Sequence, residues 1–363
     1  MKTLYVINSP CWTEISPSGL NNSKLYTNPL SENFTYFYYN LMKFGLVNKV
    51  KIFVEKHRWR IGELVEKKID TKYGPMEIFK DDNKFEVINS DKEYNYVFCW
   101  SKIEECENIK NKFIIVDNQF HGYIQKSAIS DKFHDFVLSE SKNFFKYIPN
   151  ILPKYAYKLI SYDHNILKNY SYKKIYDWIM VSSFDKRKRH IEFLKIIKKN
   201  NLHNLKGCII ARSPNNKKKI LADYFKRNTP WSILNKVKKL KKKINFDLFL
   251  NIHQDQKIKL LLESKIFINS SILDSGPRAQ VEAMQLNIPV VSLPHIGSSD
   301  IINDKNGVIA DNIEQIPEMI LKMLESYQKY KNISNKDILD PTKFMPDLVK
   351  TLQLHYNQKI NEI

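Results

Sequence analysis

The stretch from Lys265 to Asp311, KIFINSSILDSGPRAQVEAMQLNIPVVSLPHIGSSDIINDKNGVIAD, decides the fold of this chain. Residues 266–268 are a short apolar run rich in β-formers, and residues 279–286 favour a helix that ends before Pro289. A second buried strand is predicted over residues 288–293. Two strands joined by one helix need a crossover connection, which predicts a parallel βαβ unit. The helix then begins at the carboxyl edge of a sheet, where α/β proteins bind ligands.

The start of this helix has the features of an anion-binding site. Gly276 permits close approach of the backbone, and Pro277 suits the first helical position. The amides of Arg278, Ala279 and Gln280 are predicted to be free and to add their partial charge to that of a guanidinium. The sequence therefore predicts that a phosphate binds here.

Two acids flank the helix start with seven residues between them. Asp274 is predicted to lie in the loop, and Glu282 a turn inside the helix. This spacing allows one carboxylate to contact a sugar and the other to contact a ribose.

These residues resemble the E-x7-E signature of retaining nucleotide-sugar glycosyltransferases of the GT-B fold, in particular glycosyltransferase family 4. Asp274 stands in place of the first Glu. The segment EAMQLNIPVVSLPHIGSSDII, residues 282–302, is similar to that family's E-A-M-x-x-G-x-P-V-V-x-x-x-x-G-G-x-x-E. It departs from the pattern at Asn287 and Ile296, where Gly is usual, and at Asp300, where Glu is usual.

The resemblance implies an α/β fold of the GT-B type, with two doubly wound Rossmann-like domains that face each other across a cleft. A length of 363 residues fits two domains of ordinary size. We predict an acceptor-side domain over residues 1–168 and a donor-binding domain over residues 175–335. Residues 336–363 are predicted to form a helical segment that packs back on the first domain.

The N-terminal half shows the pattern of a doubly wound domain. Residues 32–46 have apolar side chains at helical spacing, and Gly45 closes that helix as a C-cap. Around the helix, apolar runs predict strands over residues 3–8, 50–54, 96–100, 113–116 and 136–139.

Two residues of this half are candidates through the resemblance. Gly19 lies in the long loop after the first strand, which in GT-B enzymes contacts the acceptor or the donor phosphate; a surface loop without a ligand is the alternative. His121 follows the strand at residues 113–116 and precedes Gly122, where GT-B enzymes place a histidine against the donor sugar.

A basic segment follows the first strand of the second half. The resemblance aligns Lys188 with the lysine of the family element V-G-R-L-x-x-x-K-G, whose Arg and Lys bind the donor diphosphate. Ser182 and Ser183 occupy the Gly-Arg positions. Arg187 or Arg278 is therefore expected to take the role of the missing Arg. A solvated basic turn is the alternative interpretation.

The net charge of +19 favours anionic partners without choosing among them. The densest basic tract, residues 217–243, carries Leu234, Val237 and Leu240 at helical spacing. Such a helix suits an anionic membrane, and it would equally suit the phosphates of a nucleic acid. The N-terminal apolar run is too short for a signal peptide or a membrane span, which predicts a cytoplasmic protein, either free or peripheral to the membrane.

The sequence lacks the motifs of several other classes of enzyme and metal-binding protein. It contains no HExxH, CxxC, G-x-G-x-x-G, Walker-type or Gly-x-Ser-x-Gly motif. The four cysteines are scattered, as reduced thiols are. We therefore expect no bound metal and no cofactor, with the nucleoside diphosphate sugar as a co-substrate.

The whole sequence predicts a retaining glycosyltransferase that moves a sugar from a nucleoside diphosphate sugar to a carbohydrate or glycolipid acceptor. Lys188, Arg278 and the helix start would hold the diphosphate, Glu282 the ribose, and Asp274 the sugar. Two alternatives stay open. One is a GT-B enzyme that modifies nucleic acid, such as hydroxymethylated DNA bases, and the other is a non-catalytic protein that binds nucleotide sugar or polysaccharide.

Overall fold

The structure is a computed structural model. It describes residues 2–7, 33–54, 67–80, 83–100, 103–117, 129, 131–157, 172–211, 230–252, 254–272, 274, 277–294, 297, 299–330 and 335–362. The chain divides into two compact units. The first comprises Met1–Asp163 together with Leu339–Ile363, and the second comprises His164–Ile338.

The described strands are β1 (Thr3–Ile7), β2 (Lys49–Val54), β3 (Lys67–Thr71), β4 (Gly74–Lys80), β5 (Tyr96–Trp100), β6 (Phe113–Asp117), β7 (Phe136–Ser139), β8 (Lys154–Ala156), β9 (Tyr176–Val181), β10 (Gly207–Ala211), β11 (Phe246–Leu250), β12 (Ser264–Asn269), β13 (Val290–Ser292) and β14 (Gly307–Ile309). The described α-helices are α1 (Asn33–Lys43), α2 (Lys84–Ser90), α3 (His190–Lys199), α4 (Pro230–Lys241), α5 (Gln254–Leu262), α6 (Arg278–Gln285), α7 (Ile316–Glu325), α8 (Tyr327–Tyr330), α9 (Lys336–Leu339) and α10 (Pro341–Asn361).

The first unit is built on a sheet with the order β3-β4-β2-β1-β5-β6-β7-β8. Its strand pairs are parallel, apart from the antiparallel β3–β4 hairpin. Helix α1 ends as predicted, because Gly45 adopts a positive φ of 81° and its amide donates to the carbonyl of Met42. Apolar residues alternate between the two faces of the sheet, so each face has its own buried core.

Helix α10 belongs to the first unit. Its residues Met345, Leu348 and Leu352 are buried in the same core as α1 and the central strands. The Tyr356 ring lies 4.5 Å from the Tyr96 ring, measured between centroids, and its hydroxyl donates to the carbonyl of Tyr94. These contacts fix the last helix of the chain on the sheet of the first unit.

The second unit is a six-stranded sheet in which the described strand pairs are parallel, in the order β11-β10-β9-β12-β13-β14. Numbered within the unit, this order is 3-2-1-4-5-6, the doubly wound Rossmann order. The βαβ unit predicted from the opening stretch is present as β12, α6 and β13. The strand order reverses between β9 and β12, and such a switch point is where doubly wound sheets bind ligands.

Candidate functional site

The loops that follow β9 and β12 meet at the switch point of the second sheet. The amide of Ile272 donates to the carbonyl of Arg187 over 3.1 Å, and the hydroxyl of Ser270 donates to the carbonyl of Lys188 over 2.7 Å. Because both contacts use backbone groups of the basic loop, they hold its two consecutive residues against the end of β12.

Lys188 and Asp274 form an ion pair at this point. The Lys188 ammonium donates to the Asp274 carboxylate, and the side chains are only 17% and 13% exposed. The carbonyl of Asp274 accepts from the amide of Gly297 over 3.0 Å, which ties the loop to the segment after β13. Two residues that the sequence predicts in one site, 86 positions apart, are therefore in direct contact.

The neighbouring Arg187 is held inside its own loop. Its guanidinium donates to the carboxylate of Asp185, with Nη2 2.8 Å from Oδ2, and its amide donates to the same side chain. Hydrogen bonds from Arg187 lower the pKa of Asp185. Arg278, the first residue of α6, stays a candidate for a phosphate at that helix start.

The start of α6 differs in detail from the prediction. Pro277 is the N-cap, with φ −69° and ψ 86°, and the first helical residue is Arg278. The prediction of a free Gln280 amide is wrong, because this amide donates to the Pro277 carbonyl over 2.7 Å as the first turn closes. Arg278 and Ala279, both half-buried, stay candidates for anion binding at the helix start.

Glu282 lies inside α6 and is buried. Its carboxylate pairs with the ammonium of Lys257 on α5, with Nζ 2.6 Å from Oε2. Nothing in the sequence distinguishes Lys257 from the many other lysines of the chain. Both acids of the D-x7-E pair thus contact a lysine from another element.

A buried amide pair fixes α6 to β12. The Asn269 amide group donates to the Gln280 side-chain oxygen over 2.8 Å, and the Asn269 oxygen accepts from the amide of Ser271. The sequence points to Gln280 only through its backbone amide, and it gives no sign that the Gln280 side chain pairs with Asn269. These contacts set the direction in which α6 leaves the sheet.

His190 opens α3 behind the basic loop. Its Nε2 lies 2.9 Å from the hydroxyl of Ser182, and its ring packs on that of Phe184. Burial, and to a smaller extent the charge of Lys188, lower the pKa of His190 to about 3, although Asp185 opposes the shift. The imidazole is therefore neutral at ordinary pH, and Ser182, one of the departures from the family pattern, is its partner.

At two positions where the family motifs have Gly, this chain has another residue with a positive φ angle. Arg189 stands at the last Gly of the family element and adopts φ 54°, and Asn287 stands at the Gly after α6 and adopts φ 58°. Both occupy the left-handed region that Gly tolerates best and Asn tolerates better than most residues. The Asn287 side chain also accepts from the amide of Asn335. Both residues therefore adopt a conformation that Gly would adopt without strain.

Three predicted site residues, Gly19, His121 and Gly276, lie outside the described residues. Within the part of the chain that is described, no three His, Cys, Asp or Glu side chains are grouped so as to hold a metal ion.

Comparison with known proteins identifies the second unit. Residues 164–338 match the family model described as Glycosyl transferases group 1. A comparison with curated protein sequences gives no significant match.

Solved structures share the fold of the whole chain. The catalytic domain of starch synthase IV from Arabidopsis thaliana, bound to ADP and acarbose, is 8% identical, with a TM-score of 0.61 over 98% of this chain and 99% of its own. AviGT4, a glycosyltransferase involved in avilamycin A biosynthesis, is 9% identical, with a TM-score of 0.60 over 100% and 99%. Anabaena Alr3699/HepE, in complex with UDP and glucose, is 13% identical, with a TM-score of 0.55 over 100% of both chains.

Two doubly wound sheets and a group 1 domain define a glycosyltransferase of the GT-B fold. The predicted fold class and the predicted class of enzyme are thereby confirmed. The narrower resemblance to family 4, and the role of each site residue, stay predictions.

Proposed function

We propose that this enzyme transfers a sugar from a nucleoside diphosphate sugar to a carbohydrate or glycolipid acceptor with retention of configuration. The observation that carries the proposal is the Lys188–Asp274 pair at the switch point, beside the start of α6. One cation, one carboxylate and a helix N-terminus converge there, as the recognition of a sugar diphosphate requires.

Lys188 and Arg278 are proposed to bind the donor diphosphate together with Gly276, Pro277 and Ala279. An ammonium has three donors, so Lys188 can hold Asp274 and a phosphate oxygen at the same time. Positive charge near the leaving group stabilises the transition state most strongly, because negative charge grows on the phosphate there. With these two cations the proposed reaction would need no metal ion, and it would need no cofactor besides the donor.

Asp274 and His121 are assigned to the donor sugar, Glu282 to the ribose, and Gly19 to the N-terminal loop that meets the acceptor or the phosphate. In the proposed reaction the bond between C1 and the phosphate oxygen breaks, and a bond from the acceptor oxygen to C1 forms on the same face. The proton of the acceptor hydroxyl passes to the departing phosphate. Asp274 would stabilise the positive charge at C1 between these events.

The test begins with thermal shifts for a panel of nucleoside diphosphates and their sugars, because a ligand that binds the folded state raises its stability. Release of nucleoside diphosphate is then measured with glycan and glycolipid acceptors. Lys188→Met should lower kcat on the order of 100-fold. Lys186→Met, an exposed lysine in the same turn, is the matched control and should keep full activity.

Equal rates for Lys188→Met and the native enzyme would refute the diphosphate role. Donor binding without turnover on any acceptor would favour the non-catalytic alternative.

A lysine surface covers α3, α4 and the turn that follows, and we propose it as the contact with an anionic membrane. Its members are exposed: Lys195, Lys198, Lys199, Lys236, Lys238, Lys239, Lys241, Lys242 and Lys243. The apolar residues Ile233, Leu234 and Val237 of α4 are buried in the second unit, so the contact would be by charge and not by insertion. None of the described helices has the length and apolarity to cross a bilayer.

Sedimentation with vesicles tests this contact. Binding should require anionic lipid and should weaken as salt rises. Replacing Lys236, Lys238 and Lys239 by Gln should weaken it further. Salt-sensitive binding to duplex DNA without binding to vesicles would instead favour the nucleic-acid alternative.

A further inference from the structure

Lys188 is held at both ends by the segment that follows β12. Its backbone carbonyl accepts from the Ser270 hydroxyl over 2.7 Å, and its ammonium donates to the carboxylate of Asp274. Both partners lie between the end of β12 and the start of α6, whereas Lys188 comes from the loop after the neighbouring strand β9. One segment at the sheet edge therefore contacts both the backbone and the ammonium of this lysine.

The backbone contact matters because a lysine side chain is long and flexible. Its ammonium stands at the end of a four-carbon stem, so the position of the charge depends on where the backbone lies. Lys188 belongs to the short 3-10 turn Lys186–Lys188, and none of these three residues is buried. Such a turn has little packing of its own, so the hydrogen bond from Ser270 helps to fix it on the sheet.

Ser270 is itself held in a buried turn. It is 1% exposed, and the amide of the next residue, Ser271, donates to the Asn269 side-chain oxygen over 3.2 Å. The Asn269 amide group donates in turn to the Gln280 side chain on α6 over 2.8 Å. Because a buried hydroxyl is costly unless it is hydrogen-bonded, Ser270 stays paired with the carbonyl of Lys188.

We infer that Ser270 is a positioning residue for the donor diphosphate, acting through Lys188. The inference rests on the proposed function, because it requires that Lys188 bind that diphosphate. Without the hydroxyl, the basic loop can shift on the sheet and carry the ammonium away from the leaving phosphate. Such a shift should lower the rate more than it weakens donor binding, since the charge on the phosphate grows in the transition state.

Release of nucleoside diphosphate from UDP-glucose, UDP-N-acetylglucosamine, ADP-glucose and GDP-mannose, with water or a glycan as acceptor, tests the inference. For the donor that the native enzyme uses, Ser270→Ala should lower kcat about 3- to 10-fold, the range that one neutral hydrogen bond gives. KM should change by less than about 2-fold. Ser270→Cys should give an intermediate kcat, because a thiol is a weaker donor of nearly the same shape.

The matched control is Ser264→Ala on the same strand. Ser264 is the first residue of β12 and is fully buried, and its hydroxyl also donates to a backbone carbonyl, that of Leu260, over 2.7 Å. Each Ala variant should lower Tm by about 2–4 °C, since each loses one buried hydrogen bond. Ser264→Ala should keep the native kcat, because it lies at the amino edge of the sheet. If Ser270→Ala fails to fold, Ser270→Cys must still show a lower kcat than Ser264→Ala.

A double-mutant cycle shows whether Ser270 acts through Lys188. In the Lys188→Met background, Ser270→Ala should cause no further fall in kcat, whereas a full second loss would overturn the inference. An unchanged kcat in Ser270→Ala, with a slow Lys188→Met, would also overturn it and leave the diphosphate role of Lys188 intact. A native kcat in Lys188→Met, or a native protein that releases nucleoside diphosphate from none of these donors, would contradict the proposed function itself.

Discussion

Replacement of His190 by Gln should change how the stability of the protein depends on pH. The imidazole is buried at the start of α3, with Nε2 2.9 Å from the Ser182 hydroxyl. Its pKa is lowered to about 3 in the folded chain, chiefly by burial. In the unfolded chain it returns to an ordinary value of about 6.5.

The sign and size of the effect follow from these two values. Below pH 6.5 the unfolded chain takes up a proton that the folded chain does not, so the free energy of unfolding falls as the pH drops from 6.5 toward 3. At 1.36 kcal/mol per unit, the 1.5 units between pH 6.5 and pH 5 correspond to about 2 kcal/mol. Gln has no proton to gain, so this contribution disappears in the variant.

Urea unfolding at pH 7.5 and pH 5 measures the effect. The native protein should lose about 2 kcal/mol more than His190→Gln between the two values. His203→Gln, the same replacement at an exposed histidine, is the control. Equal losses in His190→Gln and the native protein would show that His190 is not held neutral by the fold.

Two further predictions concern the backbone. Arg189 has φ 54°, so Arg189→Gly should be more stable than Arg189→Ala by about 1 kcal/mol in thermal or urea unfolding, the reverse of their order inside a helix; a more stable Ala variant would contradict the left-handed assignment. A Cβ on Gly207 would lie 2.0 Å from Cζ2 of the buried Trp178, so Gly207→Ala should lower the free energy of unfolding by about 3 kcal/mol. Adding Trp178→Phe should restore part of that loss, and purely additive losses would show that the clash is absent.

Much of the fold follows from the apolar pattern of the chain. The buried parallel strands are continuous apolar runs, such as Phe113–Asp117 and Gly207–Ala211, and such runs can be recognised without their partners. The β3–β4 hairpin is not predicted, because Lys67–Thr71 carries a single large apolar residue and its pairing depends on the neighbouring strand. Helix α10 begins at Pro341, inside the helical segment predicted over residues 336–363, and Pro346 lies in its first turns.

The site residues that belong to a sequence motif could be predicted from the sequence. The spacing of Asp274 and Glu282 and the alignment of Lys188 come from one local pattern each. Lys257 and Asn269 contact residues 25 and 11 positions away, and a single sequence gives no sign that these contacts form. The left-handed conformation of Asn287, with φ 58°, was equally hard to predict, because residues other than Gly seldom adopt it.

The sequence and the structure lead to different conclusions about the short side chain of Asp274. From the sequence alone, Asp in place of Glu weakens the assignment, because its carboxylate reaches less far. In the structure Lys188 extends to that carboxylate, and Ser270 and Ile272 hold the backbone of the basic loop in place. A lysine has the longer and more flexible side chain, so it can span the distance that the missing methylene leaves. The substitution is therefore compatible with a donor site in which the cation, and not the carboxylate, sets the position of the pair.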